Sequence, residues 1–194
     1  LKSIVIPDSV IKIGEAAFHG CKSLESITIP EGVTEIGANT FNYCTSLKSI
    51  VIPDSVIKIG EAAFKGCTSL ESITIPEGVT EIGEYTFCGC GVLESVVLPK
   101  GITNIGYHAF YDCSSLKRMI IPDGVWGIAS EAFHGCTSLE KIILPNSVTF
   151  IGVDVFFGCD MLTIYCRVGK LGKPSSWGKS WNCGCNVVWG YKGD

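Results

Sequence analysis

The chain has 194 residues, enough for one elongated domain, and 46% of them are hydrophobic. Its formal net charge of −4 is unevenly divided, because residues 1–161 carry 10 basic and 18 acidic side chains whereas residues 162–194 carry 5 basic and 1 acidic. An acidic surface over most of the chain argues against nucleic acid as a partner, and no apolar run is long enough to predict a membrane span.

A pattern of 23 residues repeats seven times between residues 1 and 161. Its second copy, at 24–46, reads LESITIPEGVTEIGANTFNYCTS, with Pro seventh, Ile-Gly thirteenth and fourteenth, Phe eighteenth and Cys twenty-first. The copies follow one another without insertion or deletion, and a fixed period of this kind indicates a solenoid of stacked units. The copies begin at Leu1, Leu24, Leu47, Leu70, Leu93, Leu116 and Leu139.

The first half of each repeat predicts a short strand followed by a turn. In the second repeat Ile27 and Ile29 are two residues apart, as the inward face of a strand requires. Pro30 ends the strand because it has no N–H to donate, and Pro30 and Gly32 suit the second and fourth places of a tight turn. Gly37 then predicts a sharp bend or a close approach of two backbones.

The second half of each repeat predicts a short helical segment. Residues 38–43 are too few for more than one or two helical turns, and they carry Phe41 toward the core. The residue equivalent to Tyr43 is Gly in five copies, which predicts a left-handed residue at the twentieth position. Because one repeat cannot bury its own Phe and Ile, stacked repeats must do so, and their strands are expected to form one parallel sheet.

This frame resembles the bacterial BspA-like leucine-rich repeat, whose units read close to L-x-x-I-x-I-P-x-x-V-x-x-I-G-x-x-A-F-x-x-C-x-S. The resemblance covers all seven units, which lack the asparagine of commoner leucine-rich repeats. It implies an α/β fold, namely a right-handed solenoid with a parallel sheet on its concave side and short strands and helical turns elsewhere. It also implies adhesion to proteins of a host or a neighbouring cell.

The 11 cysteines raise the question of a disulfide scaffold. Seven occupy one repeat position, where a buried free cysteine acts as a small apolar residue; a disulfide or metal ladder is the alternative. Cys166 with Cys183 or Cys185 allows a bridge in the C-terminal segment, and Cys88 is expected to be exposed. The seven are Cys21, Cys44, Cys67, Cys90, Cys113, Cys136 and Cys159.

Charged residues recur at fixed positions of the repeat. The second position begins Lys2, Glu25, Lys48, and the twelfth begins Lys12, Glu35. A parallel stack places these opposite charges side by side. Each exposed pair contributes only about 0–1 kcal/mol, so the rows are expected to set register more than stability.

The third and fifth positions are expected to face outward and form a flat, partly apolar strip. Two interpretations stay open: the branched residues simply suit a strand, or the strip binds a protein partner, as solenoid surfaces do. At the third position five serines precede Arg118 and Lys141, which are binding candidates. The candidates at the fifth position are Val5, Thr28, Val51, Thr74, Val97, Ile120 and Ile143.

Several variable positions become aromatic from Tyr85 onward. Exposed aromatic residues are enriched at binding sites, so Tyr85, Tyr107, Tyr111 and Trp126 are further binding candidates. The alternative is that these rings pack against each other or against the C-terminus. Ala129 replaces the glycine at the fourteenth position, and it would distort its repeat if that glycine needs a positive φ.

Residues 162–194 leave the frame and predict a capping segment that continues the domain of residues 1–161. Residues 170–180 are rich in Gly, Lys, Pro and Ser and are typical of a loop. The favoured role of the tryptophans is a cap on the last repeat, and a carbohydrate-binding cluster is the alternative. These tryptophans are Trp177, Trp181 and Trp189.

No motif of a known catalytic class is present, and the sequence predicts a non-enzyme without metal or cofactor. Our hypothesis is a secreted or cell-surface adhesin-like module that binds host or neighbouring-cell surface or matrix proteins. The alternative is a spacer that holds another domain away from the cell surface. Because the chain starts on a repeat leucine without a polar cap, we expect a fragment whose leader or earlier repeats lie upstream.

Overall fold

The computed structural model describes residues 2–193. The predictions for Leu1 as a repeat leucine and for Asp194 as the end of the cap therefore lie outside the described residues. The chain forms a parallel-strand solenoid of about eight turns, in which most repeats contribute two short strands. The strands are β1 (Ser3–Val5), β2 (Lys12–Ile13), β3 (Ser26–Thr28), β4 (Glu35–Ile36), β5 (Lys58–Ile59), β6 (Ser72–Thr74), β7 (Glu81–Ile82), β8 (Ser95–Val97), β9 (Asn104–Ile105), β10 (Arg118–Ile120), β11 (Gly127–Ile128), β12 (Lys141–Leu144), β13 (Phe150–Ile151), β14 (Thr163–Cys166) and β15 (Asn186–Trp189).

The strands pair in parallel and join equivalent residues of neighbouring repeats. The first strands of the repeats form the first strand ladder, which is divided into three sheets: β1 with β3, β6 with β8, and β10 with β12, β14 and β15. A bridge between Thr28 and Val51 extends the first of these sheets to the third repeat. A second ladder joins the two-residue strands at the twelfth and thirteenth positions. The predicted parallel pairing is confirmed, whereas the expected single sheet is divided into several shorter sheets.

The core is made of rows of identical side chains. The phenylalanine rings from Phe18 to Phe156 stack with centroids 5.2–5.9 Å apart and planes within 14° of each other. The isoleucines at the thirteenth position are at most 5% exposed. The predicted inward rows are confirmed, although Phe18 in the first repeat is only partly buried. Stacking supplies the burial that a single repeat lacks.

The predicted helical turns are wrong. Within residues 2–193 the fifteenth to twentieth positions form tight turns, and the helix that the structure describes is a 3-10 helix at Lys170–Gly172. The N–H groups that would close a helix donate instead to the next repeat, as Phe18 does to the Thr40 carbonyl at 2.9 Å. The α/β class is therefore not supported, and the solenoid consists of strands and turns.

Two residues of every repeat have a positive φ. At the twentieth position the predicted left-handed conformation is confirmed in all seven repeats, even at Tyr43 (φ 58°) and Asp112 (φ 54°). The Tyr43 ring occupies the space that a side chain on Gly66 would need. At the sixteenth position φ is 53–57° in all seven repeats, although no residue there is glycine. Two left-handed residues so close together exclude an α-helix.

The glycine at the fourteenth position permits a close backbone approach. A Cβ on Gly60 would lie 2.4 Å from the nitrogen of Ala38 in the preceding repeat. Because Gly60 does not have a positive φ, the condition for the predicted distortion at Ala129 is not met. The Ala129 N–H still donates to the Ile105 carbonyl at 2.9 Å, as the glycines do in other repeats.

The cysteine row is buried from Cys44 onward, whereas Cys21 is half-buried, and its thiols are free. The Cys67 thiol donates to the Phe41 carbonyl at 3.2 Å, and the same bond recurs in every repeat from Cys44 to Cys159. All 11 cysteines lie within the described residues and are free, which favours the small-apolar interpretation over a disulfide or metal ladder. Cys88, which was expected to be exposed, is half-buried.

Some of the predicted ion pairs form in the charged rows. Lys2 Nζ lies 2.9 Å from Glu25 Oε1. The Glu35 carboxylate accepts from two neighbouring repeats, at 2.7 Å from Lys12 Nζ and 3.3 Å from Lys58 Nζ. These pairs are exposed, so they favour the correct register rather than contribute much stability.

The C-terminal segment packs on the last repeat. Strand β15 pairs with β14, and Trp177 Nε1 donates to the Val148 carbonyl at 3.3 Å. Trp177 and Trp181 are buried, with ring centroids 4.6 Å apart, and Cys166 beside them in the core is a free thiol. From these contacts we propose that the segment caps the core, because buried rings offer no face to a sugar.

The left-handed twentieth position gives a stability prediction. Asp112→Gly is expected to stabilise the chain by about 0.5–1 kcal/mol, because glycine adopts a positive φ without a Cβ clash. Asp112→Ala keeps the Cβ and removes only the carboxylate, so it should give no gain. Urea unfolding followed by circular dichroism measures both. An equal gain from the two variants would assign the effect to the carboxylate instead.

The buried thiols give a pH prediction. Burial raises the pKa of Cys90 from 9.0 to about 12, so the folded chain holds this proton where the unfolded chain has released it. The resulting stability is complete below pH 9 and is lost as pH rises toward 12. Urea midpoints from pH 8 to 11 should therefore fall, and less steeply for Cys90→Ala. Parallel slopes for the two proteins would contradict this account.

Candidate outer strand face and aromatic cluster

The outer strand face is the surface formed by the third- and fifth-position side chains of the first strand ladder. In β3 the side chains of Ser26 and Thr28 are exposed and Ile27 between them is buried, since successive residues of a strand point to opposite faces. Neighbouring strands lie about 4.8 Å apart, so the first six repeats carry this surface over about 24 Å. Side chains of equal position thus line up in straight rows.

The fifth-position row exposes apolar side chains. The exposed fractions are 89% for Val5, 78% for Val51, 58% for Val97 and 65% for Ile120. The threonines between them, Thr28 and Thr74, are exposed as well. Such branched, rigid side chains lose little conformational entropy when a partner covers them. Burying them releases about 25 cal/mol per Å² of apolar area.

The seventh repeat does not continue this row. Ile143 was expected to face outward, and that expectation is wrong, because its side chain is only 2% exposed. In the ladder Ile143 pairs with Tyr165 of β14, whose ring packs on Tyr191 at a centroid distance of 4.7 Å. The N–H of Tyr191 donates to the Cys166 carbonyl at 3.0 Å and so fixes the C-terminal residues beside the face.

The third-position row ends in two cations. Arg118 is exposed, whereas Lys141 is half-buried. The Lys141 ammonium donates to the Tyr191 hydroxyl oxygen at 3.1 Å. It also lies 5.0 Å from the Tyr165 ring centroid and 5.1 Å from that of Tyr191. Two aromatic faces therefore hold this cation in place.

Three of the four predicted aromatic residues meet in the turn segments. Ring centroids of Tyr85 and Tyr107 are 5.5 Å apart, and both rings contact His108, at 5.0 Å and 3.8 Å. Tyr111 contacts His108 at 4.5 Å and His134 at 4.6 Å. We call this group the aromatic cluster; it consists of Tyr85, Tyr107, His108, Tyr111, His134 and Phe157.

Sequence reasoning missed the two histidines of the cluster. His108 follows Tyr85 by 23 residues and so occupies the same position of the next repeat. His134 likewise shares its position with Tyr111. The period of 23 residues places each histidine next to the tyrosine of the preceding repeat, so this signal is present in the sequence itself.

One carboxylate faces both histidines. Glu131 Oε2 lies 3.0 Å from His108 Nε2 and 3.5 Å from His134 Nδ1. Both nitrogens are buried, and neither forms a well-aligned hydrogen bond. Loss of solvent and the nearby Glu131 carboxylate raise the pKa of Tyr107, and chiefly the Asp112 carboxylate raises that of Tyr111. Both phenols therefore stay neutral at physiological pH.

Trp126 is separate from the cluster. It lies at the eleventh position, its side chain is 53% exposed, and its ring makes no ring contact among the residues that the structure describes. Phe150 in the adjacent repeat is 43% exposed. Of the aromatic binding candidates, Trp126 thus offers the most open surface, while the three tyrosines are half-buried among their neighbours.

Across residues 2–193, no group of three or more His, Cys, Asp or Glu side chains is placed to hold a metal ion. Burial raises the pKa values of the five row thiols from Cys44 to Cys136, to about 11 for Cys44, so these five are not activated nucleophiles. Over the same span, no helix is long and apolar enough to cross a bilayer.

Comparison with known proteins gives consistent matches. A family model described as BspA type leucine rich repeat region matches residues 1–117 and 34–163, with six copies. A solved leucine rich repeat protein of T. pallidum is 38% identical, with a TM-score of 0.79, and the match covers 83% of this chain and 78% of that one. No curated protein matches.

Two more solved structures share the fold at lower identity. A leucine-rich repeat protein of Eubacterium ventriosum is 23% identical, with a TM-score of 0.61, over 88% of this chain and 54% of that one. A leucine rich cell surface protein of Faecalibacterium prausnitzii is 22% identical, with a TM-score of 0.50, over 91% and 82%.

The two kinds of aromatic residue predict different effects on stability. Tyr111→Ala removes two ring contacts and should destabilise the chain by about 2 kcal/mol. Trp126→Ala, at an open position, should stay within about 0.5 kcal/mol of the wild type. Thermal and urea unfolding measure both. A larger loss from Trp126→Ala than from Tyr111→Ala would reverse the assignment of structural and surface rings.

Proposed function

The chain belongs to the BspA-type leucine-rich repeat family, and we propose that it is an adhesin-like binding module of a secreted or cell-surface protein. Leucine-rich repeat solenoids are generally non-enzymatic scaffolds for protein interaction. The partners are surface or matrix proteins of a host or a neighbouring cell. The description of the F. prausnitzii relative as a cell surface protein supports this location.

The observation that carries the proposal is the exposed apolar row of the outer strand face. Val5, Val51, Val97 and Ile120 are each more than half exposed, in a straight line and on a rigid sheet. Strand propensity explains why branched residues occur there. It does not require valine or isoleucine in place of threonine at four of the first six repeats. A partner that covers this row gains apolar burial at little entropic cost.

A second candidate function is a spacer that carries another domain. Regular ion pairs along the repeats, such as those of Glu35 and Glu94, suit a rigid and soluble rod. A spacer, however, gains nothing from exposing an apolar row. We therefore favour the binding module over the spacer, and the binding experiment distinguishes these two functions.

The test is binding of the purified chain to immobilised extracellular matrix and cell-surface proteins, measured by biolayer interferometry. The double variant Val51→Glu with Val97→Glu puts two charges into the strip and should weaken any saturable binding by at least about tenfold, because a buried unpaired charge is costly. Trp126→Ala is tested in parallel. Loss of binding only in Trp126→Ala would move the site to the eleventh-position row.

The matched control is Ile11→Glu with Ile57→Glu. These residues are 69% and 61% exposed and lie in another row, and the change in charge is the same. We expect binding within about twofold of the wild type. Equal loss from both double variants would show a general charge effect, and no binding by a well-folded chain would favour the spacer.

A further inference from the structure

Two cations lie side by side on the outer strand face. Arg118 and Lys141 are register partners in the pairing of β10 with β12. Like charges directly opposite each other destabilise a sheet. In the other register pairs that join two charged residues the charges are opposite, as in Lys12 with Glu35 and Glu35 with Lys58.

No carboxylate of the described residues compensates this pair. Among residues 2–193 neither Arg118 nor Lys141 forms an ion pair. Lys141 is held instead by aromatic rings and a hydroxyl group. The five preceding repeats carry serine at this position. The two cations are therefore not needed to build a repeat, and their repulsion has no internal remedy among residues 2–193.

A small cavity lies between these two cations. Its volume is about 120 Å³, and it is lined by Arg118, Met119, Ile120, Lys141 and Ile143. Ile120 contributes an exposed apolar wall. A guanidinium matches a carboxylate with two parallel hydrogen bonds, so the cavity combines an anion contact with an apolar one.

The exposed surface of the outer strand face ends just beyond this cavity. Ile143 is buried, and Tyr165 and Tyr191 stand beside it around the Lys141 ammonium. A chain that follows the exposed row from the first repeat therefore reaches its end at Arg118. The two ends of the face differ in charge, and a partner segment can lie along it in only one favourable direction.

We propose that Arg118, Ile120 and Lys141 form an anchor for a carboxylate group of a protein partner, whose extended segment lies on the outer strand face with its acidic end toward the C-terminal cap. The anchor rests on the proposed binding function and adds to it the chemistry and the orientation of the partner. The occupant is an acidic peptide segment, because the site offers a rigidly held ammonium, a free guanidinium and an apolar wall.

The test uses two synthetic peptides and fluorescence anisotropy. Both have ten residues of alternating serine and valine, a fluorescein label and an amidated C-terminus; one carries two glutamates at its end and the other two glutamines. In 50 mM NaCl the glutamate peptide should bind the wild type at least about tenfold more tightly, and the difference should shrink in 300 mM NaCl.

The matched variants use residues that the repeat already accepts. Arg118→Ser restores the serine of the first five repeats and should abolish the difference between the peptides. Lys100→Gln, which removes an exposed cation outside the third and fifth positions, should keep it. In NMR spectra of the wild type, the glutamate peptide should shift the Arg118 Nε–H resonance.

The outcomes distinguish the anchor at Arg118, Ile120 and Lys141 from binding along the rest of the outer strand face, which we call strip binding. If both peptides bind equally well and Val51→Glu with Val97→Glu abolishes both, strip binding stands and the anchor is wrong. Failure of the glutamate peptide to bind the wild type also overturns the anchor, whereas binding to the protein panel is judged independently. Self-association in sedimentation velocity that Arg118→Ser removes would make a second copy the occupant and overturn the peptide assignment.

Discussion

Each repeat is tied to the next by backbone hydrogen bonds at fixed positions, and the rest of the structure depends on this constraint. The strand ladders join the third to fifth and the twelfth and thirteenth positions. In the turns, N–H groups such as those of Phe18 and Gly20 donate to the following repeat. A backbone bonded in this way on each coil tolerates neither insertion nor deletion, which is why the period of 23 residues is unbroken.

Inside the solenoid, this spacing requires rows of equal side chains. Stacked phenylalanine rings 5.2–5.9 Å apart fill one row, and cysteine fills another because it is small and its thiol can donate to a carbonyl of the preceding repeat, as Cys67 does to Phe41. Outside, the same spacing imposes no such uniformity. Surface positions are therefore free to deviate from the frame, and we propose that the function lies at such deviations.

Three deviations stand out, and they differ in physical character. The exposed valines and Ile120 of the outer strand face offer apolar area without an internal partner. Arg118 and Lys141 place like charges side by side, unlike the register pairs Lys12 with Glu35 and Glu35 with Lys58. The aromatic cluster, by contrast, satisfies itself through ring contacts around His108. The first two deviations therefore support the proposed binding of a partner, and the third contributes mainly to packing.

The sequence by itself determined the solenoid, the parallel pairing and the inward rows. It also determined ion pairs such as Lys2 with Glu25 and the left-handed twentieth position. Each of these features follows from the 23-residue period and from the chemistry of one or two residue types. Only the tertiary structure decided features that arise between repeats. The left-handed sixteenth position carries no glycine, since bonds to the next repeat impose its φ and exclude a helix. Ile143 is buried because a segment far along the chain packs beside it. Contacts of this kind depend on how distant parts of the chain meet in space, and local sequence patterns do not contain that information.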